Sequence, residues 1–200
     1  MKNTPNFDFE TESKHPVCGI DEVGRGPWAG PVMAAAVVLD PLNIPAGLND
    51  SKKLSAAKRE ALFEEINATA MVAIGVASVE EIDQINILQA TFLAMRRAIE
   101  ALEITPVFAL IDGNKIPPGL PCKARAIVKG DSRSVSIAAA SIIAKVTRDR
   151  LMCDLSATFP GYSWETNMGY GTKAHQEGLA KLGVTPHHRV SFKPIHKMLR

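Results

Sequence analysis

Residues 17–40 read VCGIDEVGRGPWAGPVMAAAVVLD, and the punctuation of this stretch decides the fold class. Val17–Ile20 is a short apolar run of the kind a buried strand needs, and it terminates in two acids, Asp21 and Glu22. Gly24-Arg25-Gly26-Pro27 halts it. Val32–Leu39 is then apolar throughout, as a central strand covered on both faces is. Asp40-Pro41 closes this second run, because proline has no N–H to give to a ladder.

Outward from this pair the pattern alternates. Ser55–Ala68 has helical spacing with Leu62, Phe63 and Ile66 on one face, and Met71–Ala77 reads as a strand. Ser78 with Glu81 three residues on is a capping box opening a short helix. Asn86 caps a longer one, with Leu88, Phe92, Met95, Ile99 and Leu102 as its stripe. Val107–Ile111 is a strand ending at Asp112, and Ala124–Val128 another ending at Lys129-Gly130-Asp131. Ser134–Leu155 is a long helix. Its first half, IAAASIIA, is apolar on nearly every side and predicted buried; its second half carries Lys145, Arg148, Asp149 and Arg150 and is expected to emerge into water. Gly161–Gly171 reads as a turn-rich loop, and Thr172–Leu182 as a final helix stopped by Gly183. Strands alternating with helices indicate an α/β layered fold, with a helical extension over about residues 160–200. Residues 1–15 are polar and aperiodic and are expected to form a flexible arm, ahead of a single domain over residues 16–200.

Composition narrows the function classes. Of 200 residues, 46% are hydrophobic and 22% charged, which excludes a disordered chain and a coiled coil. Apolar runs such as Val32–Leu39 are too short to span a bilayer. The opening MKNTPNFDFETESKH has no apolar centre and carries Asp8, Glu10 and Glu12, so neither a signal nor a transit peptide is expected. Cys18, Cys122 and Cys153 form no CxxC pair, which points to a reducing compartment and a cytoplasmic location. The net charge of +2 is uneven: residues 1–164 carry 17 Lys and Arg against 19 acids, residues 165–200 carry 6 against 2. A basic tail of this kind suits either a solvated surface or a polyanionic partner. No exposed apolar stripe stands out, so a monomer is expected.

The chemistry-bearing residues lie at strand ends. Asp21-Glu22, Asp112 and Asp131 each terminate an apolar run. In a layered α/β fold the C-terminal ends of neighbouring strands lie side by side and build the site. Aspartate also starts turns, so any one of these acids has an ordinary explanation. Converging together, four carboxylates repel, and a hard divalent cation relieves that repulsion. Other chemistries fare worse. Gly24-Arg25-Gly26…Gly30 has the wrong spacing for G-x-G-x-x-G, and Pro27 and Pro31 oppose a helix there. No activated nucleophile accompanies His187-His188, read as a solvated or phosphate-facing pair, and His175 and His196 have no zinc spacing with any cysteine.

The same residues form a set of motifs in register. Gly19-Ile20-Asp21-Glu22-Val23-Gly24-Arg25-Gly26-Pro27 and Ala29-Gly30-Pro31-Val32 are followed by Asp50-Ser51-Lys52-Lys53-Leu54-Ser55, Ile111-Asp112-Gly113 and Lys129-Gly130-Asp131. Then come Ser136 to Asp149 (SIAAASIIAKVTRD), Gly169-Tyr170-Gly171-Thr172, and His188-Arg189 before Ser191-Phe192. This series, over about residues 17–194, resembles bacterial ribonuclease HII. The resemblance implies a ribonuclease H-like mixed sheet flanked by helices, with a C-terminal helical extension. It implies an endoribonuclease that hydrolyses the RNA strand of RNA–DNA hybrids and cuts 5′ of single ribonucleotides embedded in duplex DNA. Asp21, Glu22, Asp112 and Asp131 are then the catalytic and metal-binding acids, holding two Mg²⁺ or Mn²⁺ ions, and the products carry a 3′-hydroxyl and a 5′-phosphate. Gly24, Arg25 and Gly26 would read the 2′-hydroxyl largely through the backbone; Tyr170 would contact the neighbouring sugar; Ser51, Lys52 and Lys53 would hold a phosphate. Met168 stands where many relatives carry lysine, and Trp28 replaces a commoner leucine and is expected to pack near the substrate. Asp149 is expected to form an ion pair on the helix surface. Two readings of other classes stand beside this one: a non-catalytic hybrid-binding module, and a nucleotide-dependent enzyme using the glycine turn.

Overall fold

The computed structural model describes residues 4–199. Its strands are β1 (Val17–Val23), β2 (Val32–Val38), β3 (Met71–Ala77), β4 (Phe108–Asp112) and β5 (Lys123–Ile127). They form one mixed sheet in the order β3-β2-β1-β4-β5. β1, β2 and β3 are antiparallel, whereas β4 and β5 run parallel to β1. The helices are α1 (Asp8–Thr11), α2 (Ala56–Thr69), α3 (Val79–Glu100), α4 (Val135–Thr158), α5 (Trp164–Asn167), α6 (Lys173–Leu182) and α7 (Lys193–Met198).

Alternation along β2 explains its unbroken apolar run. Ala34 and Ala36 join the core beneath α3, while Ala35 and Val37 join the core shared by α2 and α4. Both faces are covered, so no position can be polar. On β1 the α4 face is so close that a Cβ on Gly19 would lie 2.1 Å from the Ser136 carbonyl carbon. Glycine there lets the helix backbone rest on the strand.

The capping box of Ser78 and Glu81 is present, and Asn86 breaks the helix at φ 67° while its side-chain oxygen caps Leu88 and Gln89. Of the stripe expected on α3, Met95, Ile99 and, just past its end, Leu102 are in the core, and only its first members need correction. Its sheet-facing residues are Ala90, Ala94, Met95, Ala98 and Ile99, whereas Leu88 and Phe92 are only half-buried. Small residues also face the sheet because they permit close approach, so side-chain bulk alone misplaces the first two members of the stripe.

Two further expectations are corrected. Residues 1–3 lie outside the described residues, but residues 6–12 do not behave as a flexible arm: Asn6 pairs with Ser134 and Glu10 is buried. Arg148 does not emerge into water; it is 1% exposed. The C-terminal extension forms α5, α6 and α7 around a satellite core of Tyr162, Trp164, Leu179 and Ile195, which also takes Met152 from α4. Among the described residues no helix is long and apolar enough to cross a membrane.

Candidate active site

Asp21 and Asp112 reach the same sheet edge because β1 and β4 run parallel, and both acids lie one step past the Ile20–Ile111 pair. Both project to the α4 face, on the side of Gly19 and Leu110. Glu22, the next residue, leaves β1 on the opposite face and approaches Arg25 at 3.5 Å. Asp131 comes from the 3-10 turn Gly130–Ser132, which follows β5 and is pinned to β4 by a 2.7 Å bond from the Gly130 N–H to Asp112 Oδ1.

These carboxylates feel one another. Burial, then Glu22 and Asp112, push the Asp21 carboxyl well above its ordinary range. Burial raises Glu22 against the opposing pull of Arg25, and burial followed by Asp112 and Asp50 raises Asp131. Among the described residues no three His, Cys, Asp or Glu side chains close on a single point. The four acids instead ring an open edge of carboxylate oxygens. That donor set fits a hard divalent cation, which relieves the mutual repulsion and keeps several of its waters.

Cationic groups border the acids. Ser51–Lys53 form a 3-10 turn capped by Asp50, whose Oδ1 accepts from the Lys52 N–H at 2.9 Å. Ser51 is buried and accepts from Ser141 of α4 at 2.8 Å; Lys53 Nζ donates to Ser132, beside Asp131, at 2.7 Å. A cleft of about 190 Å³ is lined by Asp21, Glu22, Ser51, Lys52, Lys145 and Tyr170, among others. A second, of about 280 Å³, joins Glu22, Arg25 and Asp112 to Leu88, Phe92 and Lys115. Asp149 forms the expected ion pair, with Lys145 at 2.8 Å, but both side chains are partly buried and Lys145 lines the first cleft rather than an open helix surface.

Two buried arginines organise the loops around the acids, and sequence reasoning missed both. Arg189 Nη2 donates to the Gly24 carbonyl at 2.5 Å and Nη1 to the Arg25 carbonyl at 3.0 Å, with further bonds to Gly30. Because each peptide is trans, carbonyls drawn inward turn the Arg25 and Gly26 N–H groups outward. Arg148 donates to the carbonyls of Pro31, Ala29 and Met168, joining the glycine turn to the loop that carries Tyr170. Gly24 sits at φ +91°, and a Cβ there would lie 2.3 Å from Arg148 Nε. Among the described residues neither arginine pairs with a carboxylate, and burial lowers their pKa values to about 10 for Arg148 and about 9 for Arg189. For Arg148 a signal existed: Ile137, Ser141, Ala144, Arg148 and Met152 share one buried helical stripe.

Tyr170 is 50% exposed, and a Cβ on Gly26 would lie 3.2 Å from its ring. Its backbone is held by histidines, which corrects the reading of His188 as solvated or phosphate-facing. His188 is buried, and its Nδ1 accepts from the Thr185 N–H at 2.9 Å. Its Nε2 proton therefore goes to His175 Nε2 at 3.0 Å, which also accepts from Trp164 Nε1. His175 is left with its proton on Nδ1, 3.0 Å from the Tyr170 carbonyl. Burial holds both rings below the ordinary histidine pKa, His188 at about 4. Trp28 packs behind this loop: a Cβ on Gly171 would lie 2.2 Å from its indole. The glycine turn leads into strand β2 rather than a helix, so it offers no helix N-terminus to a nucleotide.

Comparison with known proteins agrees with this geometry. The family model described as "Ribonuclease HII" matches residues 18–195. A ribonuclease HII of Jannaschia sp. (strain CCS1) is 65% identical over 195 residues, covering 98% of each chain. In three dimensions the chain resembles the ribonuclease H2 of Pyrococcus horikoshii OT3, with a TM-score of 0.76, 28% identity, and 91% of this chain and 96% of that one covered. It also resembles the ribonuclease HII of Archaeoglobus fulgidus, solved in complex with PCNA, with a TM-score of 0.75, 29% identity and coverage of 88% and 95%. With a ribonuclease H-like sheet, its acids gathered at one edge and similarity to these proteins over nearly its full length, the chain belongs to the ribonuclease HII family and is a type 2 ribonuclease H, a metal-dependent endonuclease.

Proposed function

We propose that this enzyme hydrolyses the RNA strand of RNA–DNA hybrids and cuts on the 5′ side of single ribonucleotides embedded in duplex DNA, leaving 3′-hydroxyl and 5′-phosphate ends. The observation that carries the reading is the gathering of Asp21, Glu22, Asp112 and Asp131 from two strands and a turn onto one edge, bordered by Lys52, Gly24–Gly26 and Tyr170. Those four acids would hold a pair of Mg²⁺ or Mn²⁺ ions, which when bound supply charge stabilisation at the phosphate and activate water.

The chain's own residues do the recognition. Lys52 and Lys53 extend from a turn capped by Asp50 and give a phosphate a fixed positive partner; this contact positions the duplex and carries no sequence information. The outward N–H groups of Arg25 and Gly26 offer two adjacent donors to a ribose 2′-oxygen, the atom that separates RNA from DNA. Tyr170, half-exposed beside Gly26, supports a sugar contact next to the cleaved bond. No side chain at this edge is an activated nucleophile, which fits direct attack by water. Three free cysteines support the reducing cytoplasm as its location.

The test is cleavage of a labelled DNA duplex holding one ribonucleotide, in Mg²⁺ and in EDTA, beside an all-DNA duplex. The expected result is a cut 5′ of the ribonucleotide in Mg²⁺ alone. Binding of the duplex without cutting in either Mg²⁺ or Mn²⁺ would overturn the catalytic reading in favour of a hybrid-binding module.

A further inference from the structure

We propose that residues 6–12 are a positioning element for the active site, fastening the turn that carries Asp131 to the start of α4. This inference rests on Asp131 being a metal ligand. The segment lies ahead of residues 18–195, the span matched by the family model.

A helix leaves its first N–H groups without intrahelical partners, and α4 is the 24-residue helix on which the sheet rests. Its first three donors are all satisfied. The Val135 N–H bonds the Asn6 carbonyl at 3.1 Å, the Ser136 N–H bonds Glu10 Oε1 at 2.9 Å, and the Ile137 N–H bonds Ser134 Oγ at 3.2 Å. Ser134 Oγ in turn donates to the same Glu10 oxygen at 2.5 Å. Residues 6–12 thus supply two of the three acceptors and orient the third.

The attachment continues back toward Asp131. The Asn6 N–H donates to the Arg133 carbonyl at 3.1 Å, and the Arg133 guanidinium lies over the Phe9 ring at 4.9 Å. Phe9 packs on Val17, Leu110, Ile127 and Ile137, the residues that join β1, β4, β5 and α4 below the site. Arg125 of β5 also covers Phe9 and pairs with Glu12 at 3.1 Å. Asp131 therefore sits two residues before Arg133, in a turn clamped from one side by residues 6–12 and from the other by Lys53 on Ser132. Glu10 is 1% exposed, and its second carboxylate oxygen has no partner among the described residues. Burying a carboxylate this way opposes folding, and a serine or asparagine could cap the helix without it. What the longer carboxylate adds is reach: one oxygen ties together Ser134 and Ser136, fixing the angle at which the Asp131 turn enters α4.

The experiment is a Mg²⁺ titration of cleavage for Glu10→Ala, Glu10→Gln and Glu10→Asp in the full chain, with KM for the duplex measured at saturating Mg²⁺. Without duplex, Mn²⁺ binding to the same proteins is followed by calorimetry, and its Kd should rise in Glu10→Ala in parallel with the Mg²⁺ midpoint. Removing a group that orients a metal ligand should raise the half-saturating Mg²⁺ concentration on the order of tenfold in Glu10→Ala, while Glu10→Gln, which keeps the acceptor, stays within about twofold. KM at saturating metal should not move, which separates loss of positioning from general loosening. A folded Glu10→Ala enzyme with the wild-type midpoint would overturn the proposal. Should Glu10→Ala not fold, a wild-type midpoint in Glu10→Asp, whose oxygen is pulled back by one methylene, does the same. Wild type and Asp131→Asn run alongside. Loss of Mg²⁺-dependent cutting in wild type, or its survival in Asp131→Asn, would remove the underlying reading; an active wild type, inactive Asp131→Asn and unshifted Glu10 variants would remove this inference alone.

Discussion

At the residue scale, Asp131 is the acid most open to a clean test. It is half-buried, in a turn closed by the backbone bonds of Ser132, Arg133 and Ser134. Asp131→Asn keeps its volume and removes its charge, so cleavage should fall by roughly two orders of magnitude or more while the melting temperature changes little, as steady-state assays and thermal denaturation will show. Tyr170 separates differently. Tyr170→Ala should erase most of the preference for an isolated ribonucleotide over a continuous RNA strand, and Tyr170→Phe tells whether the ring or the hydroxyl carries it. A survey of kcat/KM on the two duplexes decides; an unchanged ratio in Tyr170→Ala removes the sugar contact. His188 gives a pH test. Its folded pKa of about 4 lies below the ordinary 6.5, so the unfolded chain takes the proton first. The stabilisation is complete above pH 6.5 and is lost as pH falls through 4, by about 3 kcal/mol in all. His188→Asn keeps an acceptor for the Thr185 N–H, so the difference in stability between wild type and variant, followed by urea denaturation from pH 7.5 to 4, should shrink over that window.

At the scale of elements, the glycine turn, the start of β2 and the Tyr170 loop are held as one body by Arg148 and Arg189. Each guanidinium serves three donors to backbone carbonyls in a fixed planar fork, which an ammonium cannot copy. Arg189→Lys should therefore leave carbonyls of Gly24, Arg25 or Gly30 unpaired. The expected loss is about 3 kcal/mol, or roughly 6–12 °C in melting temperature, by calorimetry. Discrimination of RNA from DNA should weaken with it, since the Arg25 and Gly26 N–H groups lose their fixed direction. Much of the element pattern was legible beforehand. β3 has the bounds its sequence gives it, the Ser78 box and the Asn86 cap are where their side chains place them, and α6 runs from Thr172 to its Gly183 stop. These features are local, decided by capping geometry and hydrophobic period within one stretch of chain. Helix α7 was not anticipated, because its one buried anchor, Ile195, has meaning only against the satellite core.

At the scale of the molecule, the basic tail is less basic than it reads, since the Arg189 charge is buried. Arg25, Lys52 and Lys53 are exposed beside the acids, where a polyanion would meet them. Binding of a hybrid by Asp131→Asn should weaken with salt, with a log–log slope of about −3, and Lys52→Ala should flatten that slope by about one. Fluorescence anisotropy from 50 to 300 mM salt will read both. By itself the sequence determined the layered α/β class, the strand ends that carry Asp21, Glu22, Asp112 and Asp131, and the family motifs, because apolar period, turn residues and motif order are properties of short, contiguous stretches. Only the tertiary structure decided that β1 lies beside β4, that residues 6–12 grip the Asp131 turn, and that Arg148, Arg189 and His188 face inward. Most of those outcomes depend on partners distant in the chain, up to 165 positions away, and a polar side chain's place inside or outside is set by whether such partners satisfy its hydrogen bonds.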